Sequence, residues 1–138
     1  MRPTFCIWAE EKGDLGAQNT GKSEWGFGSA AGGYPLSRGV VIGVPKCKVI
    51  SMTLDVGDSN TNSGTIEKAT VKLTKNGNDT EFHVSTSYAS GRTTGYNVVD
   101  PGDADVIFEG GDTVNFRTTE GGGNTQRGVV CAWFERLE

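Results

Sequence analysis

Val49-Ile50-Ser51-Met52-Thr53-Leu54-Asp55-Val56 is the stretch on which the fold turns. Ile50, Met52, Leu54 and Val56 occupy every second position, with Val49, Ser51, Thr53 and Asp55 between them. Side chains on a strand point alternately to its two faces, so this spacing predicts a strand over 48–56 with one face buried and one wetted. The same rhythm continues outward. Within 66–75, Ala69, Val71 and Leu73 form the apolar side, and the run ends in Asn76-Gly77, whose tolerance of positive φ predicts a tight hairpin turn. Phe82, Val84 and Thr86 mark the return strand over 81–87. Farther on, Gly110-Gly111-Asp112 separates a strand over 105–109 from one over 112–119, where Val114, Phe116 and Thr118 share a face. Pro101-Gly102 and Gly121-Gly122-Gly123 punctuate the chain before and after this hairpin.

Helix has little support. No window of eleven residues spaces its apolar side chains for a helix, and 21 glycines in 138 residues interrupt nearly every candidate. One helical turn is expected over 9–12, closed by Gly13. Further strands over 4–9, 24–27, 36–42, 95–99 and 127–136 bring the expected total to eight to ten. With no internal repeat and no linker, the chain reads as one domain spanning 1–138, an all-β antiparallel β-sandwich, jelly-roll-like. At this length folding buries roughly two thirds of the unfolded surface, enough for a core without disulfide or metal staples.

The two ends of the chain depart from simple alternation. Phe5, Cys6, Ile7 and Trp8 near the start, and Val129 through Phe134 near the finish, leave neither face polar. One face of an antiparallel sandwich normally meets water, so these strands need a cover. Another subunit is the simplest one; the alternative is the Gly-rich segment 25–34 of the same chain. Trp8 and Trp133 are expected in core or subunit packing. Trp25, with Phe27 and Tyr34 nearby, is the better candidate for touching a ligand or neighbour.

Thirteen basic against seventeen acidic residues give a net charge of −4, the wrong sign for a phosphate backbone, and no nucleic acid partner is expected. No apolar run approaches the roughly 18 to 20 residues of a membrane span, and no apolar region follows the first four residues. No membrane association is expected, and synthesis is expected in a cytoplasm. Cys6, Cys47 and Cys131 contain no C-x-x-C pair. They read as small buried hydrophobes, the alternative being a bond between neighbouring strands or subunits.

Catalytic, cofactor and metal chemistry finds no footing in the motifs. His83 is the single histidine and sits in a strand whose neighbours Phe82 and Val84 point the other way. Asp100, Asp103 and Asp105 crowd one loop without the glycine and glutamate spacing of an EF-hand, and Asp55, Asp58, Asn60 and Asn62 are no better spaced. Glu10-Glu11, Glu24 beside Trp25 and Glu135 near Trp133 show no spacing that favours a glycosidase pair. Phosphate loops, dinucleotide fingerprints and H-E-x-x-H are missing from the sequence. The expectation is no enzyme, no cofactor and no metal.

Several segments, in order, carry a resemblance. They are Glu24-Trp25-Gly26-Phe27-Gly28 with its Gly-rich loop, Cys47-Lys48-Val49-Ile50-Ser51-Met52, and Val71-Lys72-Leu73-Thr74-Lys75-Asn76-Gly77. Phe108-Glu109-Gly110-Gly111-Asp112-Thr113-Val114-Asn115-Phe116-Arg117-Thr118 and the closing Val129-Val130-Cys131-Ala132-Trp133-Phe134-Glu135 complete the set. From about Trp8 onward the chain resembles the small β-structured virion proteins of tailed bacteriophages, the knob-like domains of heads and fibres. The resemblance implies a jelly-roll-like homotrimer without catalytic residues, located at the capsid surface. It also implies a decoration or cement protein whose partners are itself and the major capsid protein. A short chain without shaft or coiled-coil anchor is expected to fit decoration better than a fibre role. The alternative it implies is a receptor-binding knob that contacts host surface glycan. Phe5, Ile7, Trp8, Val130 and Trp133 are expected in core or trimer packing, and Trp25, Phe27 and Tyr34 in contact with a neighbour.

Overall fold

The computed structural model describes residues 2–14, 39–57, 65–66, 68–120 and 126–138. Among them there is no helix. The strands in chain order are β1 (Thr4–Asp14), β2 (Val40–Val41), β3 (Lys46–Gly57), β4 (Thr65–Ile66), β5 (Thr70–Lys75) and β6 (Asn78–Ser85), followed by β7 (Ala89–Ser90), β8 (Arg92–Val98), β9 (Ile107–Glu109), β10 (Thr113–Glu120) and β11 (Gln126–Arg136). One sheet runs β1-β11-β3-β8, with β9 also paired to β3; the other runs β2-β10-β5-β6, and β4 and β7 form a small ribbon. Every pairing is antiparallel. The first strand pairs with the last, and the chain passes between sheets several times, which makes the sandwich jelly-roll-like as its sequence predicts.

The core lies between the sheets. Phe134 of β11 is fully buried, stacked on Phe5 at 5.4 Å between ring centroids and met edge-on by Phe108 at 5.6 Å. Met52, Leu54 and Val56 of β3 face Val71 and Leu73 of β5 and Phe116 of β10 in one continuous cluster. Each such side chain contributes about 1.5–3 kcal/mol by leaving water.

β3 does alternate, but with a correction to the predicted face. Cys47 and Val49 are buried, Ile50 and Ser51 are both half-buried, and Met52, Leu54 and Val56 are buried again. In the ladder with β11, Ser51 lies opposite Trp133 and Val49 opposite Phe134, so Ile50 is an extra residue and the strand carries a β-bulge. Val49, not Ile50, belongs to the core. One inserted residue reverses the parity of everything before it.

The Asn76-Gly77 hairpin forms as predicted, with φ of 52° and 83°. Asn76 also joins two turns. Its Nδ2 donates to Asp112 Oδ1 at 2.9 Å, and the Thr113 N–H donates to its Oδ1 at 2.9 Å. Asp112 Oδ2 in turn accepts from the Glu109 N–H at 2.8 Å, closing the Gly110-Gly111 turn.

Other expectations are corrected. The helical turn over 9–12 is strand, because Glu10 and Glu11 pair with Val129 and Gly128 of β11 and that ladder overrides local preference. The run 66–75 breaks in two, and its first part pairs with β7, a short strand the alternation did not reveal. Of 36–42 only Val40–Val41 is strand among the described residues, and 24–27 lies outside them.

β6 and β8, at one side of the two sheets, close on each other. A Cβ on Gly95 would stand 2.2 Å from the Ser85 carbonyl oxygen, so only glycine lets the backbones approach this closely. Asn97 Nδ2 donates across the same seam to the His83 carbonyl at 2.6 Å.

Candidate functional site: the outer face of the five-stranded sheet

Register places the site. On β1, Ile7 and Ala9 turn inward, so Cys6, Trp8 and Glu10 turn outward; on β11, Val130, Ala132 and Phe134 are buried, which turns Val129, Cys131 and Trp133 outward. The ladders then align these residues in rows. Trp8, Cys131, Thr53 and Tyr96 form one row across four strands. Cys6, Trp133, Ser51 and Val98 form the next, and Glu10, Val129, Asp55 and Thr94 border them on the other side.

Large side chains on this face stand in solvent. Trp8 is 56% exposed and Tyr96 is 70% exposed, and Trp133, Val98 and Val129 are exposed with them. Among the described residues only Val41 and Tyr88 are exposed apolar side chains of this size elsewhere. The two-sided apolar character of the terminal strands is therefore real, and Trp8, Trp133 and Val129 stay exposed on their outer side among the described residues; the segment 25–34, the expected alternative cover, lies outside them.

Cys6 and Cys131 sit diagonally between the two tryptophans, since Cys6 lies opposite Trp133 and Cys131 opposite Trp8. Burial, the neighbouring Cys131 charge and its hydrogen bond push the Cys6 thiol up to about 12. Held protonated, Cys6 adds to the apolar surface. All three cysteines are free; Cys47 is fully buried, and burial, with the nearby Asp112 charge, raises its thiol as well. One edge of the face is polar. Arg92 Nε donates to Asp55 Oδ1 at 2.8 Å, and a second guanidinium nitrogen engages Asp55 Oδ2. Those bonds hold the Arg92 guanidinium even more firmly protonated than usual.

The expected contact residues divide. Ile7 and Val130 lie inside the sandwich and Phe5 packs on Phe134, so these three serve the core; Trp8 and Trp133 lie on the open face. Trp25, Phe27 and Tyr34 lie outside the described residues. Tyr96 and Val98 were missed by the sequence reading. Their two-residue spacing was visible, but apolar residues alternating with Gly95 and Asn97 would ordinarily be placed inward. The tight seam at Ser85 reverses them.

Elsewhere the candidate chemistry disperses. His83 is exposed, with Nδ1 3.2 Å from the Glu81 carbonyl. Asp105 pairs with Lys48 at 3.6 Å, and the Asp103 N–H donates to the Asp100 carbonyl at 2.9 Å in a turn. Among the described residues no three His, Cys, Asp or Glu side chains converge as metal ligands. Glu10 lies opposite Val129, six residues along β11 from Glu135. That is about 20 Å at strand rise, too far for a glycosidase pair. Glu24, Asp58, Asn60 and Asn62 lie outside the described residues.

No family model matches the chain, and no curated protein matches it in sequence. Among solved structures it is similar to the globular domain of zebrafish complement 1qA protein, with a TM-score of 0.56 and 11% identity over 99% of this chain and 98% of that one. The virus-like particle of the extra small virus of the giant freshwater prawn Macrobrachium rosenbergii aligns at a TM-score of only 0.30, with 11% identity over 99% and 81% of the two chains. The first likeness extends over nearly the whole of both chains and establishes the architecture: a jelly-roll-like sandwich of the kind seen in a C1q globular domain.

Proposed function

We propose that the chain is a noncatalytic virion structural protein, a single-domain homotrimer that decorates a phage head and stabilises it by binding the lattice of the major capsid protein. The observation that carries this reading is the outer face of β1, β11, β3 and β8, on which Trp8, Val129, Trp133, Tyr96 and Val98 stand exposed. Four strands about 4.8 Å apart and three rows about 6.8 Å apart give it an area on the order of 400 Å². A stable interface takes roughly 800 Å² from each partner, with an apolar centre and a polar rim. The face supplies about half of that area; its exposed apolar side chains fall in two groups, Trp8, Val129 and Trp133 on β1 and β11 and Tyr96 and Val98 on β8, flanking Ser51 and Thr53 of β3, with Glu10, Thr94 and the Asp55–Arg92 pair along one edge. A trimer built this way repeats each remaining surface three times, so weak contacts to a lattice multiply. The virion assignment itself rests on the segments that resemble phage head and fibre domains, and the sandwich is the fold they imply.

Gold-labelled antibody against the chain should decorate the head lattice of intact virions, and stripped heads should fail at lower temperature than decorated ones. Label confined to fibre tips would overturn decoration. That outcome would favour the second reading, a receptor-binding knob for host surface glycan. Tyr88 supports it, exposed on the connection between β6 and β8 as a ring on which a sugar can stack. A glycan array without signal would remove that alternative.

A further inference from the structure

The loop of residues 99–106, between β8 and β9, has a cleft on each side. The larger, about 540 Å³, opens between the loop and β6, with Phe82, Val99 and Val106 as an apolar lining and Glu81 and Asp103 beside them. This volume falls within the roughly 300–1,000 Å³ of ordinary ligand sites. The smaller, about 400 Å³, shares Val99 and Asp105 with the first and includes Asp100. The basic groups at the clefts are already engaged. Lys75 Nζ lies 3.8 Å from Asp112 and over the Phe108 ring at 5.8 Å, while Lys48 pairs with Asp105 at 3.6 Å. Glu81, Asp100 and Asp103 have no ion-pair partner among the described residues.

We propose that the larger cleft takes a lysine or arginine side chain of an extended polypeptide partner, its alkyl stem along Phe82 and Val106 and its cationic head with Glu81 and Asp103. Long basic side chains suit such a site because their stems cover apolar surface while the charge stays at the rim. Two clefts that share one wall favour a polypeptide over a small molecule. Alternate side chains of an extended segment crossing the loop reach one cleft and then the other. The net charge of −4 draws a basic segment toward the protein. The larger cleft lies at the mouth between the sheets at β6, away from the outer face, and its occupancy is independent of self-association; the smaller cleft, lined by Lys48, Ile50 and Glu135, adjoins the Trp133 row of that face.

Calorimetric titration of the full chain with acetyl-Gly-Arg-Gly-Arg-Gly-amide tests it. The peptide should bind at submillimolar concentration, more weakly as salt rises, and the same peptide with glutamine for arginine should not bind. The double variant Glu81→Gln, Asp103→Asn, exchanging side chains outside the core, should bind about tenfold more weakly or worse while keeping the wild-type circular dichroism and solution mass. Free agmatine should also bind at least about tenfold more weakly than the peptide, because it engages one cleft. Absence of peptide binding, unchanged affinity in the double variant, or agmatine binding as tight as the peptide would each overturn the proposal.

Discussion

Gly95 shows how much one missing Cβ decides. Its backbone rests against the Ser85 carbonyl, closing β8 on β6, and this contact turns Tyr96 and Val98 outward. Gly95→Ala should therefore cost about 1–3 kcal/mol in urea denaturation, as overpacking does, with no rotamer able to relieve a clash between Cβ and backbone. Asp112 is a second such residue. Its hydrogen bond from Asn76, the Glu109 N–H and the nearby Lys75 hold its carboxyl below the usual carboxylate range. A lowered pKa in the folded state gives stability that is present above the unfolded value and lost as pH falls through the folded one. Asp112→Asn should be less stable than wild type at pH 7, and the gap should close as pH drops below about 4. A gap that stays constant down to pH 2 would show that the charge contributes nothing.

Among the elements, β3 shows where sequence reading succeeds and where it stops. Met52, Leu54 and Val56 announce their face because Thr53 and Asp55 separate them. Val49 and Ile50 are adjacent and both apolar, so hydrophobicity cannot tell which is buried, and the bulge that chooses Val49 depends on the partner strand β11. Val49→Ala should cost about 2 kcal/mol, whereas Ile50→Ala should cost less than about 1, in equilibrium unfolding. Equal costs would contradict the bulge. The Asn76-Gly77 turn was legible for the opposite reason: its chemistry is local. Asn76→Ala gives up both the left-handed tolerance and the bonds to Asp112 and Thr113, and should destabilise by about 1–2 kcal/mol. The strand through 9–12 was illegible because Glu10 and Glu11 are held there by Val129 and Gly128 of β11, at the far end of the sequence.

For the molecule as a whole, the terminal strands carried the main functional signal. Trp8 and Trp133 in strands apolar on both sides predicted a face in need of cover, and the face exists. Its extension onto β8 was not legible, because Tyr96 and Val98 face outward only through the Gly95 seam. In the proposed trimer, copies of the chain bury this face against one another, and sedimentation equilibrium at micromolar concentration measures that association. The wild-type chain should sediment at three times its 14.6 kDa mass, and the double variant Trp8→Glu, Trp133→Glu, altered only on the outer face, should sediment as a folded species of 14.6 kDa. A wild-type chain that sediments at 14.6 kDa, with both tryptophans open to a soluble fluorescence quencher, would contradict it.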